Sequence, residues 1–166
     1  MKIREPLTIF LIAFVAGACS SVPRQPSSPA ASREAVGDQR AAADSEGESL
    51  VRVAAGFIGT PYKYGGDDPR GFDCSGLVFY SFDQLGIEVP RTAEDQRRAA
   101  RKVDPESLSL GDLVFFRTSA RRVDHVGIYV GAGRFIHAPS SGHVVSYAYL
   151  DDPYYRDHFV SAGRLR

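Results

Sequence analysis

The spacing of apolar residues changes along the chain and separates a polar segment from a folded one. Residues 20–47 are rich in Ser, Pro, Ala, Gly and charged residues and contain almost no large apolar side chains. Such a segment cannot bury enough apolar surface to fold, so the pattern predicts a disordered tether. Apolar positions recur throughout residues 48–166. This length suits one domain with a single core.

The first part of this domain has the spacing of helices. Five apolar residues before Gly59 fall on one helical face: Leu50, Val53, Ala54, Phe57 and Ile58. Residues 60–72 contain several Pro and Gly residues and predict turns. A second helix is predicted to begin at Cys74, because Asp73 is a preferred N-cap residue and an apolar run follows it as far as Gly86.

The second part of the domain has the alternating pattern of strands. Val126, Ile128 and Val130 alternate with polar or small residues. The predicted strands are residues 113–116, 125–130, 134–138, 144–147 and 159–165. Helices followed by a meander of strands predict an α+β fold, in which the N-terminal helices pack on an antiparallel sheet.

The two strands joined by a Gly-Ala-Gly turn allow a geometric prediction. If this turn pairs Val130 with Arg134, then His137 faces Gly127, and His125 lies two residues further along the same face. Diagonal neighbours of this kind are about 7 Å apart or less at Cβ, which permits side-chain contact. The glycine opposite His137 would leave room for a ring. A slip of one residue would put the two histidines on opposite faces.

Cys74 and the two histidines form a candidate site for nucleophilic catalysis. The first turn of a helix carries unpaired N–H groups and partial positive charge, which favour a thiolate over a thiol. One imidazole could shuttle the thiol proton while the other fixes its tautomer. Two alternatives stay open. His125 could be an ordinary strand residue, or Cys74, His125, His137 and His143 could bind zinc, although no closely spaced ligand pair is present.

The N-terminus has the pattern of an export signal. Basic residues precede the apolar run Leu7–Val15, and small residues follow it, so residues 1–18 are predicted to be a signal peptide. Small residues before a cysteine resemble the lipobox of bacterial lipoproteins, which implies acylation of Cys19 and a membrane anchor for the tether. Ser20 then implies sorting to an outer membrane. Ordinary signal peptidase cleavage is the alternative.

Charge and cysteine content narrow the classes of function. Twenty basic and twenty acidic residues give a formal net charge of +0. This balance argues against nucleic acid as a partner, because phosphate binding needs a basic surface. The chain has 2 cysteines. If Cys19 is acylated, Cys74 stays a free thiol.

Six short segments in a fixed order resemble the NlpC-type cysteine peptidases of bacterial cell walls, which have a reduced papain-like fold. Each segment is a weak signal, but six in order at matching spacing are specific. The resemblance covers about residues 50–166. The segments are residues 59–66, 72–78, 90–93, 110–116, 125–131 and 135–138.

The resemblance implies a role for each residue of the site. Cys74 is implied to be the nucleophile, His125 the general base, and His137 the residue that orients the imidazole. Tyr62 is implied to bind the substrate or the oxyanion. Ser75, beside the nucleophile, is expected to line the substrate pocket or to cap the helix.

The resemblance also implies the reaction. Amide bonds in the peptide stems of peptidoglycan would be hydrolysed through a thioester acyl-enzyme, without a metal or cofactor. The bond is either γ-D-glutamyl–diaminopimelate or the D-alanyl–diaminopimelate cross-link. A monomeric enzyme of the cell envelope is expected, anchored at the outer membrane and facing the periplasm. The alternatives are a catalytically silent peptidoglycan-binding module, and a papain-like amidase or acyltransferase acting on another substrate.

Overall fold

The structure is a computed structural model that describes residues 45–119 and 121–165. The predicted signal peptide, Cys19 and nearly all of the predicted tether lie outside the described residues. Within the described part of the chain, no helix is long and apolar enough to cross a membrane.

Helices precede most of the strands, as the apolar spacing predicts. The helices of the described residues are α1 (residues 45–55), α2 (Cys74–Asp83), α3 (Ala93–Ala99) and α4 (Pro153–His158), with a 3-10 turn at Pro105–Ser107.

The first helix differs from its prediction at both ends. It begins by residue 45, so residues 45–47 are helical although they fall within the predicted tether. It ends at residue 55, and a turn leads to Gly59, which has a φ of 91°. Leu50 and Ala54 are buried as expected, whereas Ile58 lies in the turn and is exposed. The helical face is therefore shorter than the apolar spacing indicated.

The strands form one large antiparallel sheet and one small hairpin. The hairpin pairs β1 with β2, and the sheet has the order β3-β8-β4-β5-β6-β7. The strands are β1 (Asp67–Asp68), β2 (Gly71–Phe72), β3 (Arg101–Val103), β4 (Leu113–Phe116), β5 (His125–Gly131), β6 (Arg134–His137), β7 (Ser146–Tyr149) and β8 (Phe159–Arg164). Helices packed on an antiparallel sheet confirm the predicted α+β class.

Four strands depart from the sequence prediction. Strands β1 and β2 form a hairpin within residues 60–72, which the Pro and Gly content predicted to be turns only. Strand β3 is short, mostly exposed and polar, so no apolar alternation marks it. Strand β7 begins two residues later than predicted, because Val144 forms an isolated bridge to Pro61. These short pairings follow from tertiary contacts that local spacing does not report.

The sheet is covered on both faces, which explains the continuous apolar run of β4. Leu113 and Phe115 pack into the larger cluster, together with buried residues of α1 and α2. Val114 and Phe116 face the other way into a smaller cluster, against which Tyr155 and other partly buried residues pack. Helices α2 and α4 cover opposite faces of the sheet, and the paired strands β4 and β5 lie between them.

The register of the β5–β6 hairpin confirms the prediction for most of its length and corrects it at the turn. Ile128 pairs with Ile136, and the next pair is also in the predicted register. Arg134, however, pairs with Gly131 rather than Val130, because a bulge takes up one residue. All three turn residues, 131–133, have positive φ, a conformation that glycine adopts most readily.

The space at Gly127 is filled by the ring of Phe135. A Cβ at this position would lie 2.4 Å from Phe135 Cδ2, so glycine is required for this close approach. The expectation that this glycine leaves room for a ring is therefore confirmed. Phe135 lies diagonally across the hairpin, on the face that the histidines share.

An ion pair between Asp112 and Arg164 joins the start of β4 to the end of β8. The Asp112 carboxylate is buried and accepts from Nε and Nη2 of Arg164, the latter at 2.7 Å, and from the backbone N–H of Ser109 at 2.8 Å. A buried carboxylate that is fully paired and hydrogen-bonded is tolerated, but removal of one partner leaves an uncompensated charge.

We expect Asp112→Ala to lower the free energy of unfolding by about 3–5 kcal/mol, because Arg164 would keep a mostly buried charge without its partner. Urea denaturation followed by circular dichroism measures the change. Asp68→Ala is the matched control, since it removes an exposed ion pair with Arg70 and should change stability little. Equal losses in the two variants would contradict the importance of the buried pair.

Candidate active site

The thiol of Cys74 lies at the start of α2, against the backbone of β5. Asp73 caps the helix by accepting from Gly76 N at 2.6 Å, so the predicted N-cap is confirmed. Cys74 Sγ is 3.7 Å from the carbonyl oxygen of Asp124, the residue before His125. The backbone N–H of Val126, the residue after His125, also interacts with the sulfur. The cysteine is thus brought to the strand that carries the first histidine.

The two predicted histidines are in direct contact. His125 Nε2 is 2.8 Å from His137 Nδ1, and the two rings meet edge to face. Both side chains are buried. The predicted common face of the hairpin is confirmed by this contact. Because Nε2 of His125 is occupied by His137, Nδ1 is the ring nitrogen left for another partner.

Aromatic rings enclose the histidine pair. Phe116 and Tyr155 lie beside His125, with ring centroids 5.9 and 6.5 Å from it, and Phe135 lies 5.0 Å from His137. These rings keep water from most of the imidazole surface. The enclosure restricts rotation of both histidines and lowers the local polarity.

Burial keeps the cysteine protonated, contrary to the prediction from its place at a helix start. Desolvation, and then the negative charge of Asp73, raise the pKa of the Cys74 thiol to about 11. The backbone N–H groups of Val126, Ser75 and Cys74 lower the pKa, but they do not offset burial. The resting side chain is therefore a thiol at neutral pH.

Burial also keeps both histidines neutral. Desolvation lowers the pKa of His125 to about 4, with Asp124 opposing this shift. Desolvation, and then repulsion by His125, lower the pKa of His137 to about 3. A buried cation on His125 thus needs a neighbouring anion, and Asp124 is the charged group that acts on it. Neither the thiol nor the imidazoles ionise readily on their own.

A second polar cluster lies on the other side of Cys74. Arg91 donates to both carboxylate oxygens of Asp73, at 2.9 and 2.8 Å, and to Ser75 Oγ at 3.0 Å. It also reaches the carbonyl oxygen of Gly66. Gly76 allows this packing, since a Cβ there would lie 2.0 Å from the same carbonyl oxygen. Ser75 is thereby held beside the nucleophile with its hydroxyl directed towards Asp73.

Tyr62 lies beside the cysteine and is fixed by its backbone. Its N–H donates to the carbonyl oxygen of His143 at 2.9 Å, and it forms an isolated bridge with Phe72. Its pKa is raised by burial first, and then by the charge that Cys74 and Asp73 can carry. The hydroxyl therefore stays protonated and can donate to a group bound near the sulfur.

Two cavities are lined by the consecutive residues 124 and 125. The first, of about 630 Å³, is lined by Tyr62, Cys74 and Ser75, and also by Asp124. The second, of about 460 Å³, is lined by His125 of β5 and by residues of β6 and β7. The catalytic candidates are thus divided, with the thiol facing one cavity and the histidines facing the other.

Asp124 is a site residue that sequence analysis missed. Its carboxylate accepts from the backbone N–H groups of Thr118 and Ser119 and from their hydroxyls. These bonds fix the loop before β5 and therefore the carbonyl oxygen that meets Cys74. An aspartate before a strand is a common turn signal, and nothing in the pattern marks this one as part of the site.

His143 does not join a metal site in the described residues. It lines the second cavity. Among residues 45–119 and 121–165, no group of three or more His, Cys, Asp or Glu side chains is arranged to hold a metal ion.

Comparison with known proteins identifies the family. A family model described as the NlpC/P60 family matches residues 59–164, more than half of the chain. The chain therefore belongs to the NlpC/P60 family, which confirms the resemblance carried by the six sequence segments.

Curated relatives are similar over the same region. The murein DD-endopeptidase MepH of Escherichia coli (strain K12) is 47% identical over 113 residues, which are 65% of this chain and 42% of MepH. The bifunctional muramidase/DL-endopeptidase CwlT of Bacillus subtilis (strain 168) is 44% identical over 122 residues, which are 72% of this chain and 36% of CwlT. The chain thus spans less than half the length of these two relatives.

Solved structures have the same fold. The crystal structure of an NlpC/P60 family protein from Bacillus cereus ATCC 10987 superposes with a TM-score of 0.68 at 35% sequence identity. The match covers 71% of this chain and 39% of that chain. The helices and the antiparallel sheet described above are therefore those of the family.

The raised pKa of Cys74 predicts how its reactivity depends on pH. In full-length protein carrying Cys19→Ser, the rate of alkylation by iodoacetamide should increase about tenfold per pH unit from pH 6 to 10, because the thiolate fraction rises towards a pKa of about 11. Mass spectrometry after timed quenching measures the rate. The urea-unfolded chain is the control, and its rate should level off near pH 9. A plateau below pH 7 in the folded protein would mean that a thiolate–imidazolium pair already exists at rest.

Proposed function

We propose that this protein is a cysteine peptidase that hydrolyses amide bonds in the peptide stems of peptidoglycan. The observation that carries the proposal is the thiol of Cys74 set against the backbone on either side of His125, whose ring is bound to His137 at 2.8 Å. A nucleophile, a base and an orienting group are the parts that covalent amide hydrolysis needs. The names of the relatives MepH and CwlT support the substrate class.

In the first step the sulfur attacks the carbonyl carbon of the substrate amide. Nδ1 of His125 takes the thiol proton as the carbon–sulfur bond forms, and Nε2–H of the resulting imidazolium donates to His137 Nδ1. The N–H groups of Cys74 and Ser75 at the start of α2 face the sulfur and can bind the developing oxyanion. Tyr62 is placed to supply a further donor.

In the second step the tetrahedral intermediate collapses to a thioester. His125 returns its proton to the departing amine, and then activates a water molecule that releases the acid product. The acyl half of the substrate stays bound to the sulfur and so occupies the first cavity. The amine half leaves from the side of His125, which lines the second cavity. The division of the site between two cavities fits this order of events.

A polar cluster of Asp73, Ser75 and Arg91 forms the wall of the first cavity beside the sulfur. The hydroxyl of Ser75 and the guanidinium of Arg91 line the first cavity with Cys74. The Ser75 hydroxyl donates to Asp73 and accepts from Arg91, while Asp73 caps α2 and holds Arg91 in place. The cluster therefore gives the acyl half a fixed polar wall. Because Asp73 is the N-cap of α2, the place of Ser75 in the cavity wall supports a role in the substrate pocket.

The scissile bond is one of the two that the resemblance implies. A D-alanyl–diaminopimelate cross-link joins two stems, and its hydrolysis separates them. A γ-D-glutamyl–diaminopimelate bond lies within one stem, and its hydrolysis shortens that stem. MepH is named a DD-endopeptidase and CwlT a DL-endopeptidase. The experiment therefore measures cleavage of both bonds.

Digestion of purified muropeptides by the full-length protein tests the proposal. We expect Cys74→Ala to abolish product formation and His125→Ala to lower kcat by roughly 10²–10⁴-fold, because the nucleophile and the base are removed. His137→Ala should reduce kcat less, since it removes only the orienting bond. Mass spectrometry of the products distinguishes separated stems from shortened ones.

The control for this digestion is Cys19→Ser, which should retain the activity of the natural chain on soluble muropeptides. Release of neither product by the natural protein would contradict the proposal. Binding to peptidoglycan without cleavage would then favour a silent binding module. Release of an acid from another amide would favour a different papain-like amidase or acyltransferase.

The proposal extends to the cell envelope. Export by residues 1–18, acylation of Cys19 and a polar tether would hold a monomeric domain near its polymeric substrate, at the outer membrane facing the periplasm. In a two-membrane host, incorporation of labelled palmitate and outer-membrane fractionation should both be lost in Cys19→Ser. Gel filtration with light scattering of that variant tests for a monomer. Palmitate-independent membrane binding would contradict the anchor.

A further inference from the structure

Tyr155 lies beside the histidine pair and has no role in the proposed reaction steps. It belongs to α4, which follows the N-cap Asp152. Its hydroxyl oxygen is 3.4 Å from His137 Nε2. Its ring meets the ring of His137 edge to face at 5.3 Å between centroids, and it lies almost parallel to the ring of His125 at 6.5 Å. Tyr155 therefore contacts both imidazoles from the helix on the far side of the sheet.

The proton positions on His125, His137 and Tyr155 depend on one another. If Nδ1 of His125 is to take the thiol proton, its Nε2 must carry a hydrogen and donate it to His137 Nδ1. Nδ1 of His137 is then an acceptor, so the hydrogen of neutral His137 lies on Nε2. His137 is only 2% exposed, and a buried N–H without an acceptor is costly. Among the described residues, the Tyr155 hydroxyl oxygen is within reach of this N–H.

We propose that Tyr155 is a positioning residue, which accepts a hydrogen bond from His137 Nε2–H and so holds His137 in the productive tautomer. The reverse arrangement would have the Tyr155 hydroxyl donate to Nε2. His137 Nδ1 would then carry the hydrogen, His125 Nε2 would have to accept it, and His125 Nδ1 would be protonated. In that state His125 cannot take the thiol proton. The assignment rests on the proposed function, because it follows from proton transfer to His125, but the tautomer of His137 can be measured without any substrate.

The surroundings keep the hydroxyl neutral. Burial, and then the charges that Tyr154 and Asp152 can carry, raise the pKa of Tyr155 to about 12. His125 is the titratable group that acts on His137, and Asp124 is the titratable group that acts on His125. The hydroxyl oxygen thus offers lone pairs, rather than a charge, to His137. Its own hydrogen is free to point to the second cavity.

Nuclear magnetic resonance of the histidine rings tests the tautomer without any substrate. Long-range ¹H–¹⁵N spectra of the natural protein should show His137 protonated at Nε2, with assignment by His137→Asn. Tyr155→Phe keeps the ring that packs against both imidazoles and removes the hydroxyl alone. In this variant the Nε2–H tautomer of His137 should become partly or wholly replaced by the Nδ1–H form.

Kinetics on muropeptides test the consequence for catalysis. Tyr155→Phe should lower kcat roughly three- to tenfold with KM unchanged, which corresponds to the loss of one neutral hydrogen bond. The acid limb of kcat against pH should move to lower pH, because His137 becomes a weaker acceptor for the imidazolium of His125. Tyr149→Phe is the matched control: it removes an exposed hydroxyl from β7, outside both cavities, and should leave kcat unchanged.

A double-mutant cycle separates positioning from general stability. In a His137→Asn background, Tyr155→Phe should have little further effect, because its partner is already gone. An equal effect in both backgrounds would overturn the proposal, as would an unchanged His137 tautomer in Tyr155→Phe. If the tautomer changes but the natural protein cleaves no muropeptide, the proposed function fails and the positioning role stands.

Discussion

The register of the β5–β6 hairpin is the constraint on which the site depends. It brings Nε2 of His125 within 2.8 Å of Nδ1 of His137. The register is set by a bulge and by three successive turn residues of positive φ, two of them glycine. A change of one residue would turn one imidazole to the other face of the sheet. The position of the thiol follows from the same strand, because Cys74 meets the backbone on both sides of His125.

The sequence predicts those parts of the fold that depend on local pattern. The cap at Asp73, the shared face of the histidines and the α+β order all follow from residue type and spacing. Residue 131, rather than 130, pairs with Arg134 because a bulge leaves no mark in an alternating pattern. Tyr155 and Asp124 reach the site through tertiary packing. Their sequence neighbourhoods look like an ordinary short helix and an ordinary turn.

The pKa of Cys74 is the clearest case in which a local rule is correct and yet outweighed. The N–H groups at the start of α2 do stabilise the thiolate. The same packing that brings the sulfur to β5 removes it from water, and this cost is larger. Burial acts in the opposite direction on the histidines, so that the thiol is hard to ionise and the imidazoles are hard to protonate. The resting site therefore holds a thiol and two neutral imidazoles.

The protonated resting state of the Cys74 thiol has a consequence for its oxidation. Peroxides and disulfides react with the thiolate form of cysteine far faster than with the thiol. In the cell envelope, where we propose that the protein acts, an unpaired cysteine is vulnerable to such oxidants. A Cys74 pKa of about 11 leaves only a small thiolate population at neutral pH, which would slow the formation of sulfenic acid.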